Sequence, residues 1–498
     1  MEVLSFVLYF LLMLGIGVYF FFKGKGKEES EKDYFLGGRK MGPWVTAMSA
    51  QASDMSAWLL MGLPGSILAF GLGQAWIGIG LAIGTSLNWM FVAKRLRCFS
   101  KAAGDSITLP QYLSNRFASK SHALQVVSAV IFLVCFTVYV ASGFVAGASV
   151  FNELFPSLGE SRSMLIFAFI IIVYTFLGGF NAVCWTDFFQ GLLMLVALLA
   201  VPIMIMFTQN PDASALANTI VGSDGTQYTF VANFFNALWQ DIVSGLAWGL
   251  GYCGMPHILV RFMSIEKPSM IKKSATVAII WVVISLACTI LLAYYGRMLI
   301  GEELLVDGNQ KLVFVRLARM LFHPFVAGIL LAAIIAASMS TADSQLLVAS
   351  SSFTSDIYKP VIRKNTSEKE VLWVGRIVVL AVSVIAYFIA SSKGSGAQAI
   401  MEMVENAWAG FGGSFGPVVV LSLFWKRMTY KGACAGVVFG ALTDVLWLIK
   451  FKPVTGIYEI LPAFAVGFIA AVVVSLCDKK PSDEVLDIYA KATSADCD

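Results

Sequence analysis

Apolar runs of about twenty residues follow one another along this chain with little between them. Each is long enough for an α-helix to cross a bilayer. Thirteen can be read, at residues 4–22, 41–70, 76–92, 123–150, 164–180, 185–207, 230–255, 275–295, 324–350, 371–390, 401–425, 433–448 and 457–476. Of the 498 residues 58% are hydrophobic and 13% charged, where soluble domains carry about a quarter charged. The fold class expected is an all-α polytopic membrane protein with 13 transmembrane helices. Loops rich in Lys and Arg follow runs 1, 3, 7, 9 and 11, and a charged tail follows run 13. The positive-inside rule makes that side the cytoplasm, so a multi-pass protein of the cell membrane is expected, with its N-terminus outside and its C-terminus cytoplasmic. One outer segment strains the rule, because it holds Arg297, Lys311, Arg316 and Arg319.

Two runs are unlike ordinary spanning helices. Residues 41–70 carry Asp54 among Ser49, Gln51, Ser53 and Ser56, then Trp58 and the turn signal Gly62-Leu-Pro-Gly65. A carboxylate at mid-membrane depth is costly and by default marks a functional site. Five runs later, residues 230–255 end rich in glycine, with Pro256 beyond. Interrupted segments at matching positions of two halves point to a transporter's central site. A repeat unit of five spans is odd, so its second copy must be inverted. The organisation expected is 1–40, an outer first span and basic loop; 41–425, an inverted-repeat core of 41–207 and 230–425; and 426–498, two additional spans and a cytoplasmic tail.

A break in the first segment frees carbonyls near Ala52 and Met55. The run 324–350 brings hydroxyls, Ser340, Thr341 and Ser344, after the small residues Ala336 and Ala337. Ala337, Thr341 and Ser344 share a helical face. Hard oxygens with no thiol or imidazole suit an alkali cation rather than a transition metal, and such a cage cannot carry a proton. Asp54 needs a partner: a bound ion, a solute's ammonium or imino group, or a hydroxyl network. Trp58, Tyr139, Trp248, Tyr252 and Pro256 flank the breaks and would wall a pocket for a small solute with an apolar ring. Asp187 reads as a solvated helix cap and Asp343 as a cap of local hydroxyls. Arg39, Arg261 and Arg376 read as interfacial anchors, and Glu402 and Glu405 as a solvated helix start. The eight cysteines, mostly inside apolar runs, read as small buried residues. No nucleophile–base pair or metal cluster appears, which argues against an enzyme. No basic face suggests nucleic acid.

Four stretches together resemble the sodium/solute symporter family: SAQASDMSAW from Ser49, WGLGYCGMPHILVRFM from Trp248, MSTADSQLLV from Met339 and KRMTYKGACAGVVFG from Lys426. The first two resemble its proline-carrying members more than its sugar, iodide or pantothenate carriers. The resemblance implies a five-plus-five inverted-repeat core and electrogenic import of L-proline with sodium. It implies sodium at Ala52, Met55, Ala337, Ser340 and Thr341, with Asp54 essential for coupling. It places proline beside Asp54, against Ser56, Trp58, Gly62, Tyr139, Trp248, Tyr252, Pro256 and Gly328. Sodium is the only accessory species implied, and no obligate protein partner.

Overall fold

A computed structural model describes residues 1–24, 30–177, 179–393 and 397–494. Residues 25–29 of the first basic loop and the last four of the tail lie outside the described residues. Among those described, eleven helices are long and apolar enough to cross a membrane. They correspond to the uninterrupted runs of the sequence. The face they turn outward is hydrocarbon: the Glu368–Lys393 helix exposes Trp373, Ile377, Leu380, Val384 and Phe388. The Pro324–Phe353 helix is the opposite case, with every residue from Leu330 to Ser352 buried. Such a helix, apolar or small all round, belongs at the centre of the bundle. The only strands among the described residues are Ile220–Val221 and Gln227–Tyr228, a two-residue antiparallel ladder in the loop after the Phe180–Thr208 helix.

The runs 41–70 and 230–255 are not continuous helices. The first is two half-helices, Pro43–Asp54 and Gly62–Phe70. Pro43 opens the first, where its missing N–H costs nothing. The ladder stops at Met55, whose ψ of 71° leaves the helical range. Ser56 is extended and caps a short 3-10 turn, Ala57–Leu59. The break therefore falls at Met55–Ser56. Gly62-Leu-Pro-Gly65, read from sequence as a turn, instead forms the first helical turn of the second half, where Pro64 again lacks a donor that has no intrahelical acceptor. Its glycines serve close packing. A Cβ on Gly62 would lie 2.8 Å from Met401 Sδ, and one on Gly65 3.0 Å from the Gln310 carbonyl.

The second interrupted segment runs Trp239–Ala247, then 3-10 from Trp248 to Cys253, then Pro256–Ser264. Its second half-helix lies beyond residue 255, where the sequence pattern ended the run. The two interrupted segments are joined by main chain at both ends. At one end Met41 pairs with Ile265: the Met41 N–H donates to the Ser264 carbonyl (3.2 Å) and the Glu266 N–H to the Met41 carbonyl (3.0 Å). At the other, Gly71 pairs with Val231: the Leu72 N–H donates to the Val231 carbonyl (2.8 Å) and the Val231 N–H to the Phe70 carbonyl (3.2 Å). Gly71 sits at φ +91°, and a Cβ there would fall 2.3 Å from the Val231 nitrogen, so only glycine fits.

Candidate functional site

The break at Met55 lies against the buried middle of the Pro324–Phe353 helix. Ser340 Oγ donates to the Ala52 carbonyl at 2.8 Å and approaches the Ala337 carbonyl at 3.2 Å; Thr341 Oγ1 reaches the Ala52 carbonyl at 3.4 Å. Ala52, Met55, Ala337, Ser340 and Thr341 are all buried. The structure thus gathers carbonyl and hydroxyl oxygens from two elements 288 residues apart in the chain, and no thiol or imidazole is among them.

Asp54, one residue before the break, is buried and accepts a hydrogen bond from the Tyr252 hydroxyl at 2.7 Å. That bond joins the first interrupted segment to the second at mid-depth. The aromatic groups gather beside it. Trp58 and Trp248 have ring centroids 6.0 Å apart, and Gly62 leaves room beneath Trp58, whose Cβ would sit 3.3 Å from a side chain there. Ser56 holds the turn that carries Trp58 by accepting from its N–H at 3.4 Å. Tyr139 is buried with its ring 6.3 Å from His257, one residue beyond Pro256, and its hydroxyl has no hydrogen-bond partner among the described residues.

Gly328 is not part of this gathering. It lies twelve residues before Ser340 on the same helix, about 18 Å along the axis. A Cβ there would meet Ser5 Oγ and the Glu2 carbonyl of the Glu2–Gly24 helix. The glycine lets that first helix approach and has no contact with the aromatic pair.

Several charged residues sit differently from the sequence expectation. Asp187 and Arg261 are fully buried and paired at 3.2 Å, neither a solvated cap nor an interfacial anchor. Ser49 donates to Asp187 at 2.6 Å, Arg261 donates to Ser49 and to the His257 carbonyl, and Ser344 bonds to the same pair. Ser344 therefore faces this ion pair rather than the Ala52 carbonyl. Asp343 beside it is buried, with both carboxyl oxygens lacking hydrogen-bond partners among the described residues. Arg39 is a buried hub, bonded to Asp105, Ser100 and the carbonyls of Met263 and Ser106. Glu405 pairs with Lys452 at 3.1 Å, which also holds Glu459 at 2.9 Å. Among the described residues six cysteines are free, while Cys98, against expectation, is disulfide-bonded. Two aromatics that carry no sequence signal also reach the site: Trp408 and Tyr458 stand 6.1 and 5.2 Å from Trp248.

An interrupted helix pair, a buried carboxylate at the break and an oxygen cage behind it define a membrane transporter. Residues 34–440 match the sodium:solute symporter family model, and the chain belongs to that family. A sodium/proline symporter of Haemophilus influenzae is 44% identical over 470 residues, covering 93% of this chain and 92% of the relative. A high-affinity proline transporter, PutP, of Bacillus subtilis is 43% identical over 92% of this chain and 95% of its own length. Among solved structures, a Na+-coupled sialic acid symporter in a substrate-bound, outward-open state shares the fold, with a TM-score of 0.77 at 19% identity over 97% of this chain and 98% of that one.

Proposed function

We propose that this protein imports L-proline together with sodium, by alternating access across the cell membrane. The observation that carries the reading is the convergence of Ser340 and Thr341 on the Ala52 carbonyl, two residues before Asp54. Sodium would replace those hydrogen bonds, held by the carbonyls of Ala52, Met55 and Ala337 and the hydroxyls of Ser340 and Thr341. Asp54 couples ion to solute: it precedes the break by one residue, and its carboxylate accepts from Tyr252. Proline would lie beside it, its ring against Trp58, Trp248 and Tyr139, with Ser56, Gly62, Tyr252 and Pro256 completing the pocket. Gly328 is left out of this pocket because of its place against the first helix. The names borne by relatives more than 40% identical over nine-tenths of the chain support proline as the solute.

The architecture proposed is thirteen crossings: the eleven continuous helices and the two interrupted ones. Residues 41–207 and 230–425 form the inverted halves of the core, 1–40 precede it and 426–498 follow it. The N-terminus is outside and the C-terminus cytoplasmic. The pairing of the two interrupted segments at both ends, start to end and end to start, supports the inversion. One sodium charge moved down 100 mV contributes about 2.3 kcal/mol, enough for roughly 50-fold accumulation before any sodium gradient is added.

The test is uptake of labelled proline into vesicles holding the purified protein. Uptake should need inward sodium, rise with an inside-negative potential and ignore a pH gradient. Uptake that persists unchanged without sodium would overturn the reading.

A further inference from the structure

The 3-10 stretch Trp248–Cys253 carries both Trp248 and Tyr252, and 3-10 hydrogen bonds hold a short stretch less firmly than an α-helical ladder does. Two other elements brace it: the Asn88 side-chain amide donates to the Tyr252 carbonyl at 3.1 Å, and the Ala397–Phe424 helix holds the Trp248 end. The Trp408 indole N–H donates to the Trp248 carbonyl at 2.8 Å. Its ring stands edge-on to Tyr252, centroids 5.1 Å apart at 87°, a favoured aromatic geometry. This approach exists because residue 251 is glycine: a Cβ there would lie 2.0 Å from Trp408 Nε1. Gly412, one turn on from Trp408, lets the same helix lie against that glycine, since a Cβ on it would be 2.8 Å from the Gly251 Cα. Trp408 is thus seated over Gly251, with one polar contact to Trp248 and ring contacts to Trp248 and Tyr252, both residues of the solute site. From Tyr252 the contact continues to Asp54.

We propose that Trp408 is a positioning residue for solute binding. Its N–H fixes the backbone at Trp248, its ring fixes Tyr252 against Asp54, and it touches none of the oxygens assigned to sodium. The inference rests on the sodium-coupled proline reading above. It predicts a split that space-filling alone does not: solute affinity falls while sodium affinity stays.

The experiment uses the full-length protein in vesicles for uptake and in detergent for stability. Trp408→Phe keeps a ring and removes the N–H. It should raise the proline concentration for half-maximal uptake roughly fivefold, the effect of one neutral hydrogen bond. Trp408→Leu removes the ring as well and should raise it further. Sodium added without proline should protect the unmodified protein and Trp408→Phe equally against thermal unfolding. Trp408→Leu combined with Tyr252→Phe should weaken proline binding several-fold less than the product of the two single effects, because one acts through the other. Half-saturation within twofold of the unmodified protein in Trp408→Phe, single effects that simply multiply, or sodium protection falling in step with proline affinity would each overturn the inference. Should Trp408→Leu fail to reach the membrane, Trp408→Phe decides. Absence of sodium-driven proline uptake by the unmodified protein overturns the functional reading itself, and this inference with it.

Discussion

Replacing Ser340 by alanine separates two roles that its hydroxyl could have. In the structure Ser340 Oγ donates to the Ala52 carbonyl at 2.8 Å. If that bond only fastens the Pro324–Phe353 helix to the broken segment, removing it costs about 1 kcal/mol, a neutral hydrogen bond, or roughly fivefold. If the same oxygen turns to a bound cation, the alanine takes a ligand away from a full charge. Hydrogen bonds to charged groups are worth about 1.5–3 kcal/mol, and a dipole-to-cation bond of that size is roughly ten- to 150-fold in sodium affinity. The side chain is fully buried, so water cannot easily replace the missing ligand. The assay is the sodium dependence of proline uptake in vesicles at a fixed low proline concentration, with proline dependence measured at high sodium. The expected result for Ser340→Ala is a sodium half-saturation raised by tenfold or more, with proline half-saturation at high sodium recovering toward that of the unmodified protein. Reciprocal coupling requires the recovery: sodium helps proline bind by as much as proline helps sodium. A sodium half-saturation moved fivefold or less, with proline affinity lowered equally at every sodium concentration, would refute the cage.

Other expectations follow from the buried charges and the close backbone approaches. Arg261→Gln leaves Asp187 buried without its ion-pair partner, and should lower stability in detergent by about 3–5 kcal/mol; adding Asp187→Asn should restore much of it in thermal unfolding. Gly71→Ala drives a methyl group into the Val231 main chain at a φ of +91°, so the yield of folded protein should fall, while Gly15→Ala, with open space around it, should leave yield unchanged. Partial burial raises the Asp105 carboxyl, but Lys32 and Arg39 outweigh it and hold the group below the usual range. Its contribution to stability is therefore in place above about pH 4, the unfolded value, and is lost as pH falls through the lower folded value. Asp105→Asn should melt below the unmodified protein at pH 6, and the gap should narrow as the pH falls below about 4.

The pattern of apolar runs is enough to place the membrane helices, because a spanning helix is set by local composition. It also locates the breaks, since Asp54 and the glycines around Trp248 are local violations of that pattern. What it hides is pairing. Asp187 and Arg261 lie 74 residues apart, and each alone looks like a charge bound for water or an interface. Ser344 shares a helical face with Thr341, yet a buried ion pair draws its hydroxyl away from the Ala52 carbonyl. Gly62-Leu-Pro-Gly65 has turn composition, but proline and glycine are equally at home in a first helical turn, and Met401 and Gln310 packing against it decide the outcome. Gly328 is informative only beside Glu2 and Ser5. Trp408 is one tryptophan in an apolar helix; the available signal is the glycine at 251 facing another at 412, and that match needs the fold to be seen.

The main-chain pairs at Met41–Ile265 and Gly71–Val231 have a mechanical consequence. They fasten the first broken helix to the end of the second at Ile265, and to the stretch leading into the second at Val231. Parting those segments at either end would strip two main-chain hydrogen bonds. Moving the two segments together leaves both main-chain pairs intact. The fold therefore ties the two broken segments into one unit, so that a change of position at one is passed to the other through main chain as well as through the Tyr252–Asp54 bond.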